Sequence, residues 1–545
     1  MKVAIVGSGV SGLGATWLLN EYSGHQVHLY ESDDRPGGHA NTVRFYKQGQ
    51  QPSEGVDVDT GFIVFNPTTY PNFLQFLRLF QSINILPTEM TFSVSRDNGA
   101  FEWAGNNLMT VFCQPKRLLD PDMWRLLYDV LRFNACARRI LSDEAVSEST
   151  SIGDYLKRER YSGSFTNNYL IPMTAAIWST PPDKCATDFP ARTLIRFMRN
   201  HHLLQVTGKP KWLTIQGGSI NYVKQILSKL PADQLHLSTP VQSIRSLPES
   251  RVELRTAAGA VEIYDRVIMA CHSDTARSIL EAGGAAEEGG ITARERDILG
   301  IFKWNKNECI LHHDERLMPR SKPAWSCWNY LTSSVVDADG NVLPNEPRIS
   351  LRHERPPAHP PAKYGPVLVT LNSPFEPAAE KVVGRWKYEH PVLDAQAVRA
   401  QKLLKLIQGT RSIWYAGAYT KYGFHEDGFA SGLAAAVGVA RSAPADGDSA
   451  SATGDSASSN AHSTPAKGSP LEPPFPIVTD IDEHLLYVPG EWPWLVAVVA
   501  LFFRVAEWVG VPAVIARVAC PCLALVRWVL GVDLGGKVPV KQKAE

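Results

Sequence analysis

Six residues near the amino end have the types and spacing to hold a diphosphate: Gly7, Ser8, Gly9, Val10, Ser11 and Gly12. A glycine at 7 permits a tight turn, one at 9 lets the backbone approach phosphate oxygens, and one at 12 lets a helix pack close to the preceding strand. The amides at the start of that helix face the phosphates. Glu31 follows Gly12 by 19 residues, where a carboxylate takes ribose hydroxyls. A second group can move protons. His425 stands beside Tyr422, Glu426 and Asp427, and its imidazole could give or take a proton next to a carbon undergoing oxidation or reduction. The alternative for His425 and Asp427 is to cap a helix or order its loop. Neither His201-His202 nor His312-His313 has metal-ligand spacing, so no metal is expected.

The elements that would position these groups are legible around them. Val3–Val6 reads as a strand, Ala15–Leu19 as part of a helix, and Gln26–Tyr30 as a second strand ending on Glu31. Far along the chain, a strand from Ser412 ends on Gly417, and a small-residue helix begins near Asp427 or Gly428. That helix offers a second positive dipole end to a polarised group.

After Glu31 the chain runs Ser32-Asp33-Asp34-Arg35-Pro36-Gly37-Gly38-His39. Together with the glycine loop and the segment Gly417–Gly428, this resembles the two-dinucleotide-binding-domain flavoproteins, the superfamily of amine oxidases and phytoene desaturases. The resemblance implies FAD rather than NAD. It places the Arg35–Gly38 turn and His39 on the pyrophosphate and ribityl chain, with Ser32 beside Glu31. It also sets Thr60 and Gly61 near the cofactor and the Val241 backbone at the adenine. Gly417, Asp427 and Gly428 would close the flavin site, with helix amides facing the pyrimidine edge of the ring. Amides so placed stabilise negative charge on reduced flavin. Departures from the pattern are informative. His39 stands where the superfamily usually has a basic residue. The stretch Asn307–Leu311 lacks the lysine that amine oxidases bridge through water to flavin N5, although Lys303 and Lys306 are nearby. No cysteine lies near Gly417 for covalent attachment.

Asp59–Asn66, Tyr70–Phe73, Trp325–Tyr330 and Tyr422–Gly428 resemble, more narrowly, FAD/NAD-binding proteins found beside or fused to cyclopropane-fatty-acid-type methyltransferases. That likeness covers residues 1 to about 440 and implies an oxidoreductase that desaturates or reduces lipid acyl chains, a hydrophobic substrate. Trp178, Trp328 and Tyr330 would line its channel, and His425 and Tyr422 would act in catalysis. Two alternatives stand beside it: a flavin-containing amine oxidase, and a non-enzymatic GDI- or escort-like protein gripping a prenyl group.

The expected fold class is α/β. A discontinuous Rossmann-like FAD-binding domain of the two-dinucleotide-binding type takes residues 1–74, 206–299 and 405–442, and an α+β substrate domain takes 75–205 and 300–404. Residues 443–484, rich in Ser, Ala, Gly, Asp and Pro, read as a disordered linker. Residues 485–535 form an apolar helical tail. Arg504, Glu507, Arg517 and Arg527 interrupt it, so no charge-free run reaches the length of about 20 residues that a spanning helix needs. Trp492, Trp494, Trp508 and Trp528 suit a water–lipid boundary. The tail therefore reads as short helices lying on a membrane surface, with the catalytic domain cytosolic because the first strand starts at residue 2 or 3. Lys+Arg and Asp+Glu are 55 each, which gives no basic field for nucleic acid. Eight scattered cysteines, with only Cys520 and Cys522 close together, suggest reduced thiols.

Overall fold

The computed structural model describes residues 1–46, 51–143, 146–147, 149–178, 189–205, 211–336, 342–344, 348–352, 364–442, 471–479, 492–510 and 520–532. Five strands from distant parts of the chain form one parallel sheet, in the order Ile413–Tyr415, Arg266–Met269, Lys2–Val6, Gln26–Tyr30, Leu235–His236. Their near-continuous apolar sequences suit a sheet covered on both faces. Val3, Ile5 and Ile268 point to a layer containing the helices Val10–Tyr22 and His425–Arg441. Ala4, Val6, Val267 and Met269 point the other way, to the helix Ser273–Ala282 and the antiparallel strands Val241–Ser246, Val252–Thr256 and Val261–Tyr264. The helix Ala395–Leu403, expected in the substrate domain, packs here through Ala397 and Ala400.

The second body is built on a seven-stranded sheet, in the order Val382–Val392, Lys303–His312, Leu368–Leu371, Arg348–Arg352, Trp328–Thr332, Phe92–Arg96, Phe101–Ala104. Only Trp328–Thr332 and Phe92–Arg96 pair in parallel. The helices Pro121–Cys136, Ile152–Arg158, Ile171–Trp178 and Ala191–Asn200 share its hydrophobic cluster. Asp120 caps the first of these by accepting from the Asp122 amide, and Pro121 takes the opening position, where no amide donor is needed.

Part of the expected linker is ordered. Phe475 stacks on Trp17 with ring centres 5.9 Å apart. Val478 exchanges two hydrogen bonds with the Asn72 side chain: its amide donates to Oδ1 at 2.8 Å, and its carbonyl accepts from Nδ2 at 2.8 Å. A stretch of mainly small and polar residues still holds one apolar run, Pro473–Val478, which buries Phe475. Residues 443–470 and 480–484 lie outside the described residues. Among the described residues, the tail contributes the helices Pro493–Trp508 and Cys520–Leu530. Among the described residues, no helix is long and apolar enough to cross a membrane.

Candidate functional site

Gly7 turns the chain with a φ of +104°, and its amide donates to the Tyr30 carbonyl at 2.8 Å. A Cβ at Gly12 would sit 1.8 Å from the Gly7 carbonyl oxygen, so only glycine permits this strand–helix contact. Gly9 differs: a Cβ there meets nothing within 4 Å. It is also the cap residue of the helix Val10–Tyr22, with no side chain capping and no acid in the first turn. The first amides of that helix therefore point into open volume beside Gly9, an arrangement that fits a diphosphate.

The Arg35–Gly38 turn closes over this volume. The Gly37 amide donates to the Ser8 carbonyl at 3.1 Å, Arg35 Nη1 donates to the Gly38 carbonyl at 2.9 Å, and a Cβ on Gly38 would lie 3.2 Å from the Gly9 Cα. Glu31 ties the loop to the second strand. Its Oε2 accepts from the Ser8 amide at 2.9 Å and the Ser8 hydroxyl at 2.5 Å. Its Oε1 accepts from the Asp33 amide at 3.0 Å and the Ser32 hydroxyl at 3.1 Å. A carboxylate has about four acceptor sites. A ribose hydroxyl would reach Glu31 by displacing a serine hydroxyl, which needs only a side-chain rotation. The Thr239 amide donates to the Glu31 carbonyl at 2.8 Å, which brings Val241 to the same end of the sheet.

Residues 60–62 run alongside 39–41. The Thr60 amide donates to the Asn41 carbonyl and the Phe62 amide to the His39 carbonyl, both at 2.9 Å. A Cβ on Gly61 would lie 2.3 Å from that His39 oxygen. Beyond them lies a polar network that the sequence reading missed. Asn41 Nδ2 donates to Thr60 Oγ1 and to the Tyr388 hydroxyl, both at 2.9 Å. Asn307 Nδ2 is 2.8 Å from His390 Nδ1, and Asn372 Nδ2 donates to Asn307 Oδ1 at 2.7 Å. His39 packs against this group, with its ring 4.8 Å from Tyr388 and 5.1 Å from His390. Burial, with His390, His272, His425 and Arg35 around it, holds the His39 pKa well below its usual value. His39 is therefore neutral and differs from the charged residue usual at this place. Its shielded Nε2 has no hydrogen-bond partner among the described residues. Lys303 and Lys306 do not enter the site: they lie exposed, pairing with Asp394 at 3.0 Å and Glu389 at 3.5 Å.

The closing element packs directly on the first helix. A Cβ on Gly428 would meet Val10 Cγ1 at 2.6 Å and Ser11 Oγ at 3.1 Å, and one on Gly432 would lie 2.0 Å from the Ser11 carbonyl. The Gly417 amide donates to Ser431 Oγ at 2.9 Å. The helix starts at His425, slightly before the expected Asp427 or Gly428. Asp427 Oδ2 accepts from the Phe424 amide at 2.9 Å and so caps it.

His425 is enclosed by aromatic side chains. Its ring stacks on Phe62 at 3.7 Å, meets the edge of Phe73 and places Nε2 2.7 Å from the Tyr222 hydroxyl. Burial among these rings pushes its pKa down to about 3. The ring packs between the loop and the residues Phe62, Phe73 and Tyr222. Tyr422 lies on the substrate-domain side, where its carbonyl accepts from Trp178 Nε1 at 3.0 Å. Trp178 stacks with Phe189 and lies 4.5 Å from Phe197, which in turn stacks on Phe424. Trp328 packs at the edge of the same cluster, and Tyr330 is buried within it.

The sequence matches the family of flavin-containing amine oxidoreductases over residues 10–282, half of the chain. The chain belongs to this family. Similar solved structures include cyclohexylamine oxidase from Brevibacterium oxydans, with 15% identity over 81% of this chain and 98% of that one and a TM-score of 0.53. Reduced UDP-galactopyranose mutase has 17% identity over 81% and 94%, with a TM-score of 0.53. A CLA-producing fatty acid isomerase from P. acnes has 12% identity over 81% and 98%, with a TM-score of 0.51. The likeness is one of fold. This amine oxidoreductase-family protein is an FAD-dependent oxidoreductase, and its residues fit the cofactor. The open volume at Gly9, the uncapped helix amides and the orphaned His39 nitrogen form a cradle that its own side chains leave unfilled.

Proposed function

We propose that the protein transfers hydride between FAD and a hydrophobic substrate, a lipid acyl chain, as a desaturase or double-bond reductase. The observation that carries this reading is the aromatic wall joining the closing loop to the substrate domain: Tyr422, Phe424, Trp178, Phe189 and Phe197. A cavity opening against this buried cluster would desolvate an alkyl chain at little cost. The exposed positions of Lys303 and Lys306, with Asn307 on the inner side of their strand, further separate the site from the lysine-dependent amine oxidase pattern. The fold accommodates an acyl substrate in the fatty acid isomerase. FAD supplies the hydride acceptor or donor when bound. The protein's part is to hold the cofactor with the glycine loop and Glu31, to exclude water with the aromatic wall, and to fix the closing helix through His425 and Asp427.

The test is anaerobic mixing of the yellow protein with saturated, branched or unsaturated acyl phospholipid, or with putrescine and cyclohexylamine, while following the flavin band at about 450 nm. Bleaching by the saturated or branched lipid, or reoxidation of dithionite-reduced enzyme by the unsaturated one, supports the proposal. Bleaching by the amines alone, with peroxide on admitting air, establishes the amine oxidase reading instead. A colourless protein that rejects added FAD would return the escort reading.

A further inference from the structure

Among the described residues, an extended exposed apolar surface is composite, built from the tail and from the substrate domain. In the helix Pro493–Trp508, Phe503 and Ala506 face inward. Phe503 meets Tyr128 at 5.2 Å, and Glu507 pairs with Arg132. Both partners lie on the helix Pro121–Cys136. The opposite stripe, Val498, Leu501, Phe502, Val505, Trp508 and Val509, is exposed at helical spacing, with Trp508 88% accessible. The helix Cys520–Leu530 rests on Pro115–Leu119 and exposes Leu525, Val529 and Trp528, the last at 80%.

The neighbouring body continues this surface. Leu108 and Met109 are 73% and 84% exposed. Phe112 links them to exposed Trp124 with rings 5.2 Å apart, and Trp124 Nε1 donates to the carbonyl of exposed Leu118 at 2.8 Å. Leu131, on the helix that carries the tail, is exposed too. Scattered apolar side chains are ordinary on a protein surface, but a contiguous set of this extent marks an interaction site.

We propose that this composite face seats the protein on an anionic lipid bilayer, with the 108–131 region and the tail helices entering the interface together. Three observations select a bilayer. At 16 residues the longer helix measures about 24 Å, short of the hydrocarbon thickness of about 30 Å, so it lies along the surface. Tryptophans recur along the face, at 124, 492, 494, 508 and 528, as at water–lipid boundaries. Residues 492–545 hold six lysines and arginines against three acids, which complements anionic headgroups. The face is independent of which substrate the flavin site takes.

The test uses the full chain and sedimentation with vesicles of phosphatidylcholine alone or with about one quarter phosphatidylglycerol. Binding is expected on the anionic vesicles, and W508E/W528E lowers it about tenfold or more. L108E/M109E, outside the tail, lowers it at least about threefold. V261E/I263E, a comparable exposed pair on the three-stranded sheet, leaves it unchanged. The flavin absorbance of each variant confirms folding without reference to lipid. Unchanged binding of L108E/M109E overturns the composite face. Absence of vesicle binding, together with a dimer that W508E dissociates, shows that a second copy covers it.

Discussion

At the scale of single residues, the three glycines of the loop do different work, and two substitutions separate them. Gly9 has open space where a side chain would go, so Gly9→Val is expected to fold with an unchanged apoprotein melting temperature while losing flavin entirely. Gly12→Ala places a methyl 1.8 Å from a carbonyl oxygen, so it is expected to cost about 3 kcal/mol of stability with or without FAD. Flavin content by absorbance and apoprotein melting curves read the two effects apart. A Gly9→Val protein that stays yellow would remove the diphosphate from this loop. These residues were legible because their roles are local: turn, close approach and helix start all fall within six positions. Asn41 and Tyr388 were not, because they meet across 347 residues of sequence. The packing of His425 was hidden for a related reason. Its surroundings are Phe62, Phe73 and Tyr222, which the loop sequence does not contain.

At the scale of elements, the site depends on how closely two helices approach. Gly432→Ala would place a methyl 2.0 Å from the Ser11 carbonyl and push the closing helix off the first. The expected result is a loss of about 3 kcal/mol and weaker flavin retention, measured by thermal melts with and without FAD. Gly163→Ala, where a Cβ meets nothing within 4 Å, is the neutral control. The start of the same helix carries a pH effect. Glu426 is buried and accepts from the Asn72 amide at 3.0 Å, Asn72 Nδ2 at 2.7 Å and the Phe73 amide at 2.9 Å. Burial outweighs these donors and pushes its pKa from 4.5 up to about 7. A raised acid pKa in the folded state means that the stability is present below the ordinary carboxyl value and is lost as pH rises through about 7. Up to about 3 kcal/mol is at stake over that window. Asp59, raised to about 6 by burial against the donors Ser219 and Thr42, acts in the same direction. The melting temperature is expected to fall between about pH 5 and pH 8, and less steeply in Glu426→Gln, which has no charge to bury. An identical slope in the variant would show that Glu426 does not contribute.

At the scale of the whole molecule, the chain returns to the parallel sheet several times, and its carboxyl part returns to the body twice more. The sequence revealed the first pattern through its strands and glycine signals, which are dense and repeated. It concealed the second, because one phenylalanine in a polar stretch carries no periodicity. Phe475 covers Trp17, and Val478 is held by Asn72, the residue whose amide and side chain also bind Glu426 at the closing helix. Residues 471–479 therefore act as a clasp on the cofactor-binding body, separate from the helices Pro493–Trp508 and Cys520–Leu530. Two truncations distinguish these parts. Ending the chain after residue 485 keeps the clasp, so flavin content should hold while vesicle binding drops and only the Phe503 and Glu507 contacts to the helix Pro121–Cys136 are lost. Ending it after residue 442 also removes Phe475, whose burial contributes about 2 kcal/mol. That shorter protein should melt a few degrees lower and expose the Trp17 region, seen as a red-shifted tryptophan emission. If both truncations melt alike, the clasp contributes no stability, and the Asn72–Val478 bonds merely accompany a chain that passes by.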